Sequence, residues 1–323
     1  MTKKTLPRVD LTEAWPPQAG RGTAVEIYDT TLRDGTQGLD FNLTSRDKVA
    51  LARRLDDFGI DFIEGGWPGS NPRDVEFFEM MKDTPLTRAT LTAFGSTCRK
   101  DTAPEDDANL QALLAAGTGA IAMFGKSWTL HVTEALGTTL DENLSMIERS
   151  IRFLSDNGRR VIYDAEHFFD GYTADCDYAL ETLAAAVRGG AERLVLCDTN
   201  GGMLPAWMGE VVAAASEVGV DLGIHCHNDT GCAVANTLAA VDAGVMHVQG
   251  TMNGHGERTG NADLITIAAN LQLKYGWPVM PPEHLARATS VSHAVAAITH
   301  VAPNARQPYV GQSAFAHKAG LHA

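Results

Sequence analysis

His225-Cys226-His227 sets two imidazoles two residues apart, and on a strand that spacing turns both to one side. Two readings stand for such a pair: a core histidine beside a loop histidine, or two ligands of one divalent ion. A nearby carboxylate favours the second. Asp34 supplies one from Thr31-Leu32-Arg33-Asp34-Gly35-Thr36-Gln37, read as the end of an adjacent closing strand. Two imidazoles and a carboxylate suit Mn, Zn or Co, and Mg where waters complete the shell. Asn261, ending Gly254-His255-Gly256-Glu257-Arg258-Thr259-Gly260-Asn261, offers an amide oxygen, and the glycines let that loop approach a ligand closely. Arg33 and Gln37 bring a guanidinium and an amide to the same turn. For Arg-Asp-Gly alone, a surface turn with a local ion pair is the competing reading.

The elements that must position these groups follow from hydrophobic periodicity. Apolar runs near 26–32, 61–66, 90–94, 120–124, 161–166, 193–197, 222–227 and 247–251 read as strands. Amphipathic helices follow them at 44–58, 72–81, 105–116, 141–157, 174–188, 205–218, 232–243 and 262–274. Eight strand–helix units, spaced roughly 30 residues apart, predict a (β/α)8 TIM barrel over 25–277. A doubly wound sheet competes, but no Gly-x-Gly-x-x-Gly follows the first strand. Residues 1–24 read as an extended arm. Residues 278–323 read as an appended helical piece, with a helix over 283–300 and a tail holding His317 and His322.

In such a barrel catalytic groups sit where strands run into the following loops. The polar residues gathered there are Arg33, Asp34, Gln37, Glu64, Glu166, Asp198, Thr199, Asn200, His225, His227, Asn228, Asp229, Asn253, Glu257, Arg258 and Asn261. His131, His247, His284, His293 and His300 read as packing or surface residues, and His167 stays ambiguous.

Composition narrows the partners. The 323 residues carry a formal charge of -14, which argues against nucleic acid and anionic membranes. No apolar run is long enough to span a bilayer. Five cysteines without a Cys-x-x-Cys pair fit reduced thiols in a cytoplasmic protein.

Taken together, these motifs resemble the metal-dependent barrel family that condenses or cleaves acyl-CoA esters with 2-oxo acids, which includes 2-isopropylmalate, homocitrate and citramalate synthases. Thr31 to Gln37 is similar to its first-strand signature, His225 to Asp229 to its paired histidines, and Gly254 to Asn261 to its glycine loop apart from His255. Within the family, the segments 64–72, 163–172 and 197–202 are most similar to the citramalate-forming branch. The resemblance implies Asp34, His225, His227 and Asn261 as ligands of a divalent metal (Mg, Mn or Zn), with acetyl-CoA as co-substrate. It implies that a 2-oxo acid chelates the metal and that Arg33 stabilises the alkoxide. Glu166 would then bond the new hydroxyl and Thr199 the substrate carboxylate, with Gln37 and Tyr163 as further substrate-binding residues. The base that deprotonates the acetyl group falls on His322, with His317 as second choice, in a segment that reaches into a partner subunit, so a homodimer is implied. The expected reaction joins acetyl-CoA and pyruvate into (R)-citramalate, a step towards isoleucine. Relatives continue with further helices and a regulatory domain. Because the chain stops at Ala323, inside the motif carrying the base, a shortened form that binds metal and keto acid but turns over poorly is expected.

Rival activities leave sequence marks. Lyases of the hydroxymethylglutaryl type carry a reactive cysteine in the glycine loop, and residues 254–261 have none. Biotin-dependent carboxyltransferases need a modified lysine near the metal, and no lysine is read at a strand end beside the histidines. A metal-stabilised scaffold without activity would have no use for Arg33 and Glu166. A pocket for 2-oxoisovalerate in place of pyruvate differs by one or two methylenes, worth about 1–3 kcal/mol. Trp67, Phe94, Phe124 and Trp128 are candidates to narrow it.

Overall fold

The computed structural model describes residues 25–39 and 41–318. Eight parallel strands close on themselves in sequence order: β1 Glu26–Asp29, β2 Phe62–Gly66, β3 Thr90–Ser96, β4 Ala120–Lys126, β5 Arg160–Glu166, β6 Arg193–Asp198, β7 Leu222–Cys226 and β8 His247–Gly250. The predicted (β/α)8 barrel is thus the observed fold. Helices α1 Ser45–Phe58, α2 Pro72–Lys82, α3 Ala108–Ala115 and α4 Leu140–Asp156 follow the first strands in turn. After β5 come α5 Phe168–Ala174 and α6 Cys176–Gly189, then α7 Pro205–Ser216, α8 Ala233–Asp242, α9 Leu264–Leu273, α10 Pro282–Leu285 and α11 Ala288–Thr299. No described helix is long and apolar enough to cross a membrane.

The strands read as apolar runs because both faces are buried. Alternate residues divide between two layers. Ile27, Ile63, Ile121, Met123, Val161, Tyr163, Leu194, Leu196, Ile224 and Val248 pack outward in the large core with the helices. Tyr28, Phe62, Phe94, Ala120, Ala122, Ile162, Val195 and Cys197 fill the barrel interior. Local signals set the boundaries. Thr44 and Asp47 form a capping box at the start of α1, and Gly59 ends it with φ 107°.

Differences from the expected elements have local causes. The helix predicted over 174–188 is two helices, because Asp175 turns extended and caps Tyr178 N at 3.0 Å. The helix predicted over 283–300 divides between α10 and α11. β4 runs on to Lys126, two residues past its apolar stretch; this strand-end lysine pairs with β5 and does not stand beside the histidines of β7. Beyond residue 277, Val279, Met280, Leu285, Val291, Val295 and Val310 join the barrel's outer core. Asn253 Nδ2 also donates to Ser292 O at 3.0 Å, which ties this piece to the loop after β8. The arm expected over 1–24, and His322, lie outside the described residues.

Candidate active site

Asp34 is not on a strand adjacent to β7, as the sequence reading had it. It lies beyond the end of β1 in a turn, and β8 separates β1 from β7. The turn is held from within: Asp34 N donates to Thr30 Oγ1 at 3.3 Å, and Thr31 Oγ1 donates to Asp29 Oδ2 at 2.8 Å. From there Asp34 Oδ2 sits 3.1 Å from His225 Nε2 and 3.5 Å from His227 Nε2. The two Nε2 atoms are 3.3 Å apart. His225, next to last in β7, faces inward, and His227, just past the strand, forms an isolated antiparallel bridge with Asn261. That bridge brings the glycine loop to the cluster.

All four residues are buried. Two neutral imidazoles with lone pairs face to face repel unless a proton or a cation lies between them. Here burial pushes the His225 imidazolium towards deprotonation, but the Asp34 carboxylate outweighs it and raises its pKa. Burial and the neighbouring His225 drive His227 down to about 4. Burial alone would raise Asp34, yet Arg33 and the two histidines hold it well below the usual carboxylate range. Donor atoms about 2.0–2.2 Å from a shared ion lie about 3–3.5 Å from one another. The carboxylate and both Nε2 atoms match that spacing, so the residues fit a divalent ion. Asn261 joins through nitrogen, Nδ2 donating to Asp34 Oδ2 at 2.7 Å, while its buried Oδ1 has no partner. A half-turn of that amide would offer the oxygen instead.

Above this cluster lies a cavity of about 200 Å³ lined by Arg33, Asp34, Gln37, Glu166, Thr199, His225 and His227, with Asp164, Cys197 and Glu257. Trp67, Phe94 and Phe124 form its apolar wall. This space suits a molecule of a few carbons and is small against the ~300–1,000 Å³ of sites for larger ligands. Arg33 is fixed on three sides: Nε donates to Glu64 Oε1 at 2.6 Å, a terminal nitrogen donates to Asp34 Oδ1 at 3.0 Å, and the guanidinium carbon stands 3.7 Å over the Phe94 ring. Fully buried Glu64 also accepts from Tyr28 Oη and Thr30 Oγ1, each at 2.5 Å.

Not every expected site residue reaches this cavity. Tyr163 points the other way, because it is one residue out of phase with Asp164 and packs among the helices. Its expected substrate contact is therefore corrected. Trp128 stacks near His131 and His167 and does not line the cavity. His317 is exposed and outside the lining. Thr199 does line it, and its Oγ1 also accepts from His167 N at 2.9 Å.

Three contributors went unread in the sequence. Asp164 is two residues from Glu166 on the inward face of β5, and burial together with Glu64 pushes its carboxyl up to about 7. The same period of two on β5 marks it. Gln249 on β8 bridges His225 and Asp164. Lys126, paired across strands with Glu166, bonds the Glu166 carboxylate with its ammonium. The lysine missing from the strand-end inventory is thus turned to Glu166.

The profile of the HMGL-like family matches residues 24–295. Over 313 residues the chain is 54% identical to an (R)-citramalate synthase of Synechocystis sp., covering 94% of this chain and 57% of that protein. An (R)-citramalate synthase of Streptomyces coelicolor is 54% identical over 299 residues, covering 92% and 56%. A 2-isopropylmalate synthase of Sulfolobus acidocaldarius is more distant, 33% identical over 300 residues, covering 92% of this chain and 74% of that protein. The chain spans a little over half the length of the citramalate synthases it matches. Among solved structures, a Bacillus subtilis HMG-CoA lyase superposes with a TM-score of 0.72 at 18% identity, covering 88% of this chain and 95% of that one, a likeness of fold.

Proposed function

The chain belongs to the HMGL-like family, and on that premise we propose that it carries the barrel of an enzyme condensing acetyl-CoA with pyruvate to give (R)-citramalate and CoA. The observation that carries this reading is the small cavity: a three-donor cluster, Arg33 and three aromatic rings line it, with room for a three-carbon acid. The 54% identity to two (R)-citramalate synthases supports the same choice of acceptor.

Asp34, His225 and His227, with Asn261 after its amide turns, would hold a divalent ion, Mg, Mn or Zn. When bound, it supplies Lewis-acid polarisation of the ketone. Arg33, already immobilised by Glu64, Asp34 and Phe94, places fixed positive charge where the keto oxygen becomes an alkoxide, so little reorganisation is needed. Thr199 and Gln37 stand on the cavity wall for the carboxylate, and Glu166 receives the hydroxyl. A base removes a proton from the acetyl methyl group, a role assigned to His322 with His317 as second choice. The new bond joins that carbon to C2 of pyruvate, the former keto oxygen takes up a proton, and water cleaves the thioester to release CoA thiol. A homodimer lending the tail of one subunit to the other's site, cytoplasmic location and service to isoleucine formation belong to the same proposal.

Free thiol released from acetyl-CoA is the direct assay, run with pyruvate, 2-oxobutanoate, 2-oxoisovalerate and 2-oxoglutarate. Pyruvate is expected to be fastest. Faster release with 2-oxoisovalerate would replace the reading with 2-isopropylmalate synthesis.

A further inference from the structure

His225 has two ring nitrogens, and only Nε2 faces Asp34 and His227. The other, Nδ1, lies 2.9 Å from Oε1 of Gln249. An amide oxygen can only accept, so Nδ1 carries the hydrogen, and in the neutral ring Nε2 keeps a lone pair aimed at the cluster. What decides which end of the Gln249 amide meets the imidazole lies on the far wall of the barrel. Gln249 Nε2 donates to Asp164 Oδ1 at 3.1 Å, crossing the interior from β8 to β5. Turning the amide over would set its hydrogens against Nδ1–H and, with Asp164 ionised, its oxygen against a carboxylate oxygen. The exposed fractions are 0% for Gln249, 4% for Asp164 and 5% for His225, so water is poorly placed to substitute for either bond. The register sets His225 directly beside Gln249 on neighbouring strands, which makes this pairing a consequence of the sheet.

We infer that Gln249, oriented by Asp164, is a positioning residue that sets the His225 tautomer and thereby the affinity of the Asp34–His225–His227 cluster for a divalent ion. This rests on the metal reading above. Partners of this kind behind a ligating histidine are typically worth about 10–100-fold in metal affinity. Through Gln249, Asp164 acts by an oxygen facing the amide, a contribution that does not need its charge.

The test is cobalt(II) binding to the full chain without substrates, followed by titration calorimetry and visible absorption. Circular dichroism of each metal-free variant is recorded first. Gln249→Leu is expected to weaken binding about 10–100-fold. Asp164→Leu weakens it as well, whereas Asp164→Asn retains it, because the asparagine oxygen still accepts from Gln249. The Gln249→Leu/Asp164→Leu double variant loses no more than Gln249→Leu alone, and additive losses would overturn the relay. If Gln249→Leu does not fold, the two Asp164 variants carry the test, and undiminished binding in Asp164→Leu overturns it. In the zinc-loaded parent, two-bond 1H–15N spectra should place the proton of His225 on Nδ1 and the metal on Nε2, the reverse being fatal to the inference. A parent chain that takes no cobalt removes the metal reading itself. A parent that binds, beside a Gln249→Leu variant binding equally well, removes only the role of Gln249.

Discussion

Lys126 and Glu166 stand opposite each other at the ends of β4 and β5, and the ammonium of one is bonded to the carboxylate of the other. Glu166 faces the cavity, so Lys126 fixes the direction of a group assigned to the substrate hydroxyl. Lys126→Met should lower kcat for thiol release roughly ten- to hundredfold, the usual cost of small misplacement, and Lys126→Arg should recover much of it. A rise in KM with kcat unchanged would count against this.

Arg33 is the shared partner of Asp34 and Glu64. Lysine has one ammonium and cannot bridge both carboxylates while lying flat on Phe94. Arg33→Ala leaves Glu64 buried without its cation, a loss on the order of 3–5 kcal/mol, read as a lowered midpoint in denaturant melts. Arg33→Lys should fall between, with thiol release reduced more than stability.

The opposite end of the barrel also contributes to acid stability. Burial pushes the Glu26 carboxyl up, but bonds from His247 and Arg193 outweigh it and hold it at about 2, against 4.5 unperturbed. A depressed carboxylate stabilises the fold above its unfolded pKa and loses that contribution as pH falls through the folded value. The loss therefore spans about pH 4.5 to 2 and is on the order of 1–3 kcal/mol, allowing for partial exposure. Asp29 has the opposite sign: burial raises it to about 7, so stability declines as pH rises from about 4 to 7. Melts of Glu26→Gln and Asp29→Asn across pH should each flatten the matching limb.

Divalent metal should raise the melting temperature. At a metal concentration near 100 times its Kd the fold gains about 2.7 kcal/mol, or on the order of 5 °C. Asp34→Asn should abolish the shift, and a full shift in that variant would contradict the assigned cluster.

Widening the aromatic wall should change the acceptor. Phe124→Ala removes one ring of three facing the cavity and is expected to move relative kcat/KM towards 2-oxobutanoate by about 10–200-fold. An unaltered ratio would place the acceptor's alkyl group elsewhere.

The barrel and the Asp34–His225–His227 cluster were legible in the chain because both rest on short-range rules. Apolar runs followed by amphipathic helices, such as 44–58 ending at Gly59, repeat eight times. His225 and His227 share a face by the period of a strand alone. Tyr163 shows the limit of reading a motif without that period, since one step along β5 exchanges the cavity for the helix layer.

Other features depended on closure of the sheet. Sequence placed Asp34 beside the histidines by chemistry but set it on a strand next to β7, although eight units closing in chain order put β8 between β7 and β1; only the turn after β1 carries Asp34 across. Lys126 escaped notice because β4 runs two residues past its apolar stretch, where pairing with β5 sustains it. Gln249 and Asp164 are 85 residues apart, and neither carries a signal of the other. Residue types and periodicity determined which groups this protein has and which faces they occupy. Only the closed barrel, by bringing opposite walls within hydrogen-bond reach, decided which of them meet.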